Sequence, residues 1–299
     1  MTPGGKGTIG IVGLGIMGGA IARSLKTSGW TIVGFDTNTA RREEALAAGI
    51  DLVANATDVA SRVSTILSIL PRPGSLSATV EEIARAKLPP RIIVELSTFS
   101  LDDKIAAEAV ARNAGHVLLD CPISGTGAQA KTRDLSIYAS GDSQSIETVR
   151  PVLLDFARSV TDLGAFGNGS KMKFVANLLV AIHNVASAEA FALGVKAGLA
   201  PDQILKLVQS GAGNSRIFEL RGPMMAAGRY DDATMKISVW QKDMAIIRDF
   251  AATLGCKVPL LEASAPIYDA AVARGLGDKD TAAVCLILEE MAGIKRQPS

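Results

Sequence analysis

Gly13-Leu14-Gly15-Ile16-Met17-Gly18 is a GxGxxG run that directly follows a β-branched apolar segment and opens a helical one. Those residue types in that order build a pyrophosphate cradle. Gly13 permits a tight turn, Gly15 lets backbone approach an anion, and Gly18 allows close helix–strand packing, while the helix N-terminus offers unpaired N–H groups. Ile16 and Met17, between the second and third glycines, count with the glycines as cofactor contacts. Asp36 follows 18 residues after Gly18, where a carboxylate can accept the ribose hydroxyls of a dinucleotide and repel a 2′-phosphate. NAD is therefore favoured over NADP. Arg41 and Arg42 are the counterweight, since they could reach such a phosphate from the next helix; surface pairing with Glu43 and Glu44 is the plainer reading.

A second group lies far downstream. From Gly167 to Asn177 a glycine-rich turn runs into a helical stretch that carries Lys173 and Asn177 four residues apart, which sets an ammonium and an amide on one helical face. Such pairs ordinarily face solvent, so the spacing alone assigns no chemistry. The rest of the chain changes the odds.

The elements that would position these groups alternate in type. Thr8–Val12, Thr31–Phe35, Ser64–Leu70, Arg91–Leu96 and Val117–Leu119 read as buried strands, with helices over Met17–Ser28, Ala40–Ala48, Ser75–Ala86 and Leu101–Ala114 between them. This alternation predicts right-handed βαβ units in a mostly parallel, doubly wound α/β sheet of the Rossmann type. After Gly169 no further β-rich run is evident, and Ser170 to about Lys196 reads as one long helix stopped by Gly198. Pro201 then starts a helix, and Asp243–Leu254, Leu260–Ala273 and Thr281–Met291 carry helical periodicity. The expectation is a nucleotide-binding domain over 1–166 and an all-helical domain over 167–299, joined by the long helix.

Composition agrees and excludes other classes. A chain of 299 residues exceeds one ordinary domain. With 48% apolar, 20% charged and 4% aromatic residues, it is an aliphatic globular protein. The formal net charge is +1 and the basic residues are scattered, so no footprint for nucleic acid or an anionic membrane is visible. The longest apolar stretch, Phe174 to Ala186, is broken by Asn177, His183 and Asn184, and no membrane span is expected. The first residues lack the apolar core of a signal peptide, which points to the cytoplasm. Cys121, Cys256 and Cys285 form no CxxC pair, so neither a disulfide framework nor a metal site is suggested, and buried free thiols are expected.

Taken together, these features resemble the β-hydroxyacid dehydrogenase family, which includes 3-hydroxyisobutyrate dehydrogenases, tartronate semialdehyde reductases and glyoxylate/succinic semialdehyde reductases. The resemblance covers nearly the whole chain. It rests on the GxGxxG run, Leu70-Pro71, Ser97-Thr98, Cys121-Pro122-Ile123-Ser124-Gly125, the stretch from Gly167 to Asn177, and Lys242-Asp243-Met244. It implies that Lys173 is the catalytic acid/base of a hydride-transfer reaction and that Asn177 orients the substrate hydroxyl. By the same resemblance, Ser124 acts in catalysis and, with Gly125, holds the carboxylate of a small acid, Leu70, Pro71 and Thr98 line the cofactor, and Lys242 reaches toward it from the helical domain. Lys171 is expected to serve the surface. Thr126 stands where the family more often has another residue and is expected to tune specificity. The family's proline after the Ser-Thr pair is replaced by Phe99-Ser100-Leu101, so Phe99 could shape the cofactor pocket.

Other readings remain. An imine reductase would share this architecture but generally lacks the lysine, and a non-catalytic nucleotide-binding scaffold would be expected to lose either the proton donor or the anion loop. His116 and His183 suggest no catalytic pair. The apolar circumference of the long helix suggests burial against other helices and a subunit partner, and the resemblance implies a homodimer or homotetramer.

Overall fold

The computed structural model describes residues 5–126, 129–130 and 132–295, so Gly127 of the turn after Ser124 and the first four residues lie outside it. Six strands, β1 (Thr8–Val12), β2 (Thr31–Phe35), β3 (Asp51–Leu52), β4 (Thr65–Ser68), β5 (Ile92–Glu95) and β6 (Val117–Asp120), form one sheet in the order β3-β2-β1-β4-β5-β6. Every pairing in it is parallel. Successive side chains face opposite sides. Ile9 and Ile11 enter one apolar cluster and Val12 the other, as Val94 and Ile93 do on β5.

Helices α1 (Ile16–Thr27), α2 (Thr39–Ala47), α3 (Ala56–Arg62), α4 (Pro73–Arg85) and α5 (Leu101–Asn113) make the crossovers. Asn38, Asn55 and Ser100 cap three of them by accepting a backbone N–H in the first turn. The strand order reverses between β1 and β4, and ligands bind at the carboxyl ends of strands at such a point.

Several elements differ from expectation. The strand predicted over Ser64–Leu70 stops at Ser68, because the Leu70 N–H is donated to Ser97 Oγ at 2.9 Å instead of to a neighbouring strand. A second sheet, β7 (Ile123–Ser124), β8 (Ser136–Ala139) and β9 (Ser159–Asp162), follows the first, with β7 antiparallel and β9 parallel to β8. Its strands are too short and too serine-rich to show a pattern. The helix α6 (Ser143–Leu154), capped by Asp142, joins β8 to β9. Phe99 does not face a pocket: it is fully buried in the core beside α5.

Helix α7 (Asn168–Lys196) runs for 29 residues. The chain divides into two compact units between Lys173 and Phe174, inside this helix. The second unit holds α8 (Pro201–Gln209), α9 (Arg216–Ala227), α10 (Ile237–Thr253), α11 (Pro259–Ala273), a 3-10 turn at Thr281–Ala283 and α12 (Val284–Met291). One isolated bridge, Lys236 to Asp280, is the only β pairing among its described residues.

By length and apolarity α7 is sufficient to cross a membrane, contrary to the expectation from its interrupted apolar stretch, and 39% of its most apolar part is buried. A core helix meets the same criterion. Asn184, one of the interruptions, is buried and donates to the Tyr268 hydroxyl at 3.0 Å and the Thr281 carbonyl at 2.8 Å. Cys121 and Cys285 are buried as expected, whereas Cys256 is exposed in the turn after α10, where the helix has ended at a left-handed Gly255.

Candidate active site

The glycine turn is built so that only glycine fits at two places and open space remains at the third. Gly13 has φ of +95°, and a Cβ there would lie 2.0 Å from the Ile69 carbonyl oxygen. A Cβ on Gly18 would lie 1.9 Å from the Gly13 carbonyl oxygen. Around Gly15 nothing would stand within 4 Å of an added Cβ, and Gly15 caps α1 without any side-chain hydrogen bond. The first N–H groups of α1 are thus left for an anion, with Ile16 exposed and Met17 half-buried beside them. This cradle fits a dinucleotide pyrophosphate.

Asp36 closes the turn from the end of β2. It accepts the Leu14 N–H at 2.6 Å and the Asn38 N–H at 2.8 Å. Each oxygen keeps acceptor capacity, and the side chain is only partly buried. Arg41 is committed to Glu44 through contacts of 3.0 and 2.8 Å.

Along the same sheet edge, Leu70 and Thr98 are half-buried and Pro71 is exposed. Ser97 joins their two loops, accepting from Leu70 through Oγ and donating its N–H to Glu95 Oε1 at 2.9 Å. Ser124 ends β7, and Gly125 follows with φ of +132°, where a Cβ would strike Leu135 at 2.5 Å. Thr126 gives its N–H to Gln129 Oε1 at 3.0 Å.

The first turn of α7 buries its N–H groups against tertiary partners. Gly169 N–H donates to Ser140 Oγ at 2.9 Å, and Ser170 N–H donates to Asp120 Oδ2 at 2.7 Å. One turn on, Lys173 is 8% exposed and Asn177 3% exposed, so the face predicted from their spacing turns inward. Lys171 faces out and pairs with Asn168 at 3.1 Å. Within the second unit, Asn177 Nδ2 donates to Asp243 Oδ2 at 2.9 Å, and Lys242 Nζ lies 3.0 Å from Asp243 Oδ1.

Asp243 was not singled out by the sequence, although it is the residue that ties Asn177 to Lys242. Its signal was its place inside Lys242-Asp243-Met244, read for the lysine alone. Also missed was a fully buried group of Glu95, Lys104 and Asp120 behind the sheet edge. Burial pushes the Glu95 carboxyl up, and Lys104 offsets this only in part. Burial alone would lower the Lys104 ammonium, but Glu95 and Asp120 more than reverse that, so it stays charged. His116 is buried beside β6 and accepts the Arg91 N–H at 3.2 Å; burial first, then Arg91, lowers its basicity. Among the described residues no cluster of His, Cys, Asp and Glu could hold a metal ion.

Residues 8–164 match the family model of the NAD binding domain of 6-phosphogluconate dehydrogenase, and residues 167–288 match that of the NAD-binding domain of NADP-dependent 3-hydroxyisobutyrate dehydrogenase. The chain belongs to the β-hydroxyacid dehydrogenase family. This dehydrogenase is 30% identical to the L-threonate dehydrogenase of Haemophilus influenzae over 94% of each chain. It matches the crystal structure of 3-hydroxyisobutyrate dehydrogenase from Salmonella typhimurium with a TM-score of 0.84 at 29% identity, over 94% of this chain and 99% of that one. The Mycobacterium tuberculosis 3-hydroxyisobutyrate dehydrogenase, solved with L-serine, gives a TM-score of 0.85 at 27% identity, over 94% and 98%. The dehydrogenase therefore acts on a CH–OH group and depends on NAD(P).

Proposed function

We propose that this dehydrogenase interconverts a small β-hydroxy acid and its semialdehyde, with Lys173 as the general acid/base. The observation that carries the reading is the burial of Lys173 and Asn177 one turn apart while Lys171 stays at the surface. A lysine is seldom buried without a use for its charge or its proton. When bound, the nicotinamide supplies the hydride acceptor for oxidation and the hydride donor for reduction. Lys173 Nζ takes the hydroxyl proton as the alcohol is oxidised and returns it to the carbonyl oxygen in reverse. Asn177 orients that hydroxyl, and its amide is itself held by Asp243. Ser124 and Gly125 hold the carboxylate through a hydroxyl and backbone N–H groups, and Thr126 next to them tunes which acid is accepted.

The cradle at Gly13, Gly15 and Gly18 holds the pyrophosphate, with Asp36 on the ribose and Leu70, Pro71, Thr98 and Lys242 as further cofactor contacts. NAD is the preferred nucleotide. Two facts support this: Asp36 presents a carboxylate at the end of β2, and Arg41 is engaged by Glu44. The oligomer in this reading is a homodimer or homotetramer, supported by Val175, Leu179 and Leu193, which leave apolar surface exposed along α7.

The test is Lys173→Met assayed with short hydroxy acids and semialdehydes. Turnover should fall by about 10²–10⁴-fold, with nucleotide affinity from a fluorescence titration nearly unchanged. A variant that keeps most of its turnover overturns the assignment. Running both nicotinamide nucleotides and a set of cyclic imines in the same panel settles the cofactor preference and the competing imine reductase reading. Tight nucleotide binding without turnover on any acid would favour a scaffold instead.

A further inference from the structure

Lys104 is a second buried lysine, on α5, that the reaction above does not use. Its ammonium has three protons and three oxygen neighbours, the Ser97 carbonyl, Asp120 Oδ1 and Glu95 Oε2, each at 2.7 Å. Each neighbour is tied onward. On one side Ser97 holds the Leu70 N–H through its hydroxyl and binds Glu95 through its own N–H. On the other side Asp120 accepts both the N–H of Ser170 at 2.7 Å and its hydroxyl at 2.8 Å. Ser140 reinforces this arm, donating to Asp120 Oδ2 at 3.3 Å while accepting the Gly169 N–H.

One ammonium therefore links the Leu70 and Ser97 loops at the sheet edge to the first turn of the helix that carries Lys173. There is no slack in the second arm. A Cβ on Gly169 would lie 2.3 Å from the Tyr138 carbonyl oxygen and 2.6 Å from that of Asp120, so the helix start is pressed directly onto β6 and β8. Buried ionic groups are costly to desolvate, and well-packed apolar residues commonly serve stability as well or better. What three short contacts at 2.7 Å do supply is a single geometry.

We propose that Lys104 and Asp120 are positioning residues, a buried clamp that sets the start of α7, and with it Lys173, relative to the loops of the sheet edge. The proposal rests on the reading of Lys173 as the proton carrier. Lys173 lies three residues beyond Ser170, less than one turn away. A displacement of about 1 Å at a reacting group is enough to cost about 10²-fold in rate.

The experiment combines hydrogen exchange with kinetics on the full chain. In Lys104→Met, amide exchange should accelerate at least about tenfold both at 97–98 and at 169–173, and stay unchanged in α11. Its kcat should fall about 10–100-fold while KM for the hydroxy acid and Kd for the nucleotide move by no more than about threefold. Ser170→Ala removes one hydroxyl at the far end of the clamp and serves if the first variant does not fold. Its kcat should fall about 3–10-fold at constant KM, with faster exchange at 169–173, whereas Ser170→Thr, which restores the hydroxyl, should recover most of the loss. Exchange at 169–173 that ignores both substitutions, or a rise in KM in place of a fall in kcat, overturns the proposal. Lys173→Met separates the two readings. If it is inactive while exchange is unchanged in the clamp variants, the clamp fails alone; if it stays active, the proton assignment fails and takes the positioning role with it.

Discussion

The bond between Asn177 and Asp243 offers a sharp test of how the helix face that carries Lys173 and Asn177 is organised. Asp243 has two contacts of unequal weight: the Asn177 amide at 2.9 Å in buried surroundings, and Lys242 at 3.0 Å with a side chain 38% exposed. The second contact is screened and contributes about 0–1 kcal/mol at most. Asp243→Ala would leave the buried Asn177 N–H groups short of an acceptor, which costs about 1–3 kcal/mol. The amide then turns to find another partner, and on the proposed role of Asn177 the orientation that serves the substrate hydroxyl is penalised by the same amount. At 1.4 kcal/mol per decade, kcat/KM for the hydroxy acid should fall by about 5–150-fold. Nucleotide affinity should change by less than about fivefold, the ceiling set by the Lys242 contact. Asp243→Asn keeps an acceptor oxygen but loses the charge, and should fall between the two. The decisive assay is a double-mutant cycle with Asn177→Ala. If Asp243 acts through Asn177, its removal costs almost nothing once Asn177 is gone. Costs that multiply would refute the reasoning.

Two further predictions concern the rest of the chain. Asp280 is buried beside Arg221 at 3.3 Å; burial would raise its carboxyl, but Arg221, the Ala282 and Met235 N–H groups and Thr234 outweigh that and hold it below the ordinary 3.8. Its contribution to stability is therefore complete above about pH 4 and lost as pH falls through the depressed value, so urea midpoints should drop below about pH 4. Asp280→Asn should start about 3–5 kcal/mol less stable, because Arg221 is left buried without its anion, and should show a shallower acid limb; an unchanged limb would remove Asp280 from the account. Of the three cysteines, Cys256 alone is exposed, and burial pushes the Cys121 thiol well up. A thiol reagent at pH about 8 should label one group in the native protein and three after unfolding, and rapid labelling of two in the native state would contradict the burial of Cys121 and Cys285.

How much of this was legible in the chain depends on the range over which each feature is determined. The GxGxxG turn was legible because its constraint is local: Gly13 and Gly18 are required by carbonyl oxygens that a side chain would strike, and any sequence that makes this turn shows it. Most of the parallel sheet was legible for the same reason, since β1, β2, β4, β5 and β6 are largely buried and read as apolar runs, whereas β3, two residues with neither side chain fully buried, was not. The three short strands from Ile123 to Asp162 left no such trace. With two to four residues each and polar neighbours, they are held by pairing between segments and not by their own pattern.

The site divides along the same line. Lys173 and Asn177 were legible as a pair on one helix face, and the resemblance ranked Lys173 above Lys171 where spacing alone could not; that Lys173 is buried and Lys171 exposed belongs to the fold. The acids that tie this helix to other segments were not read as such, although Asp243 stood inside a quoted motif. Asp243 stands 66 residues from Asn177, and Asp120 stands 50 from Ser170, each an ordinary acid in its own segment. A residue that touches substrate is marked by its chemical type in a local motif. A residue that positions it is marked only by what it meets, and Lys104, an unremarkable lysine on an amphipathic helix in sequence, becomes the centre of a three-way junction only when β5, β6 and α5 are assembled around it. Substitutions at such junctions should therefore change turnover without changing which molecules bind, and in this dehydrogenase that separates the residues a motif can name from those that only the fold reveals.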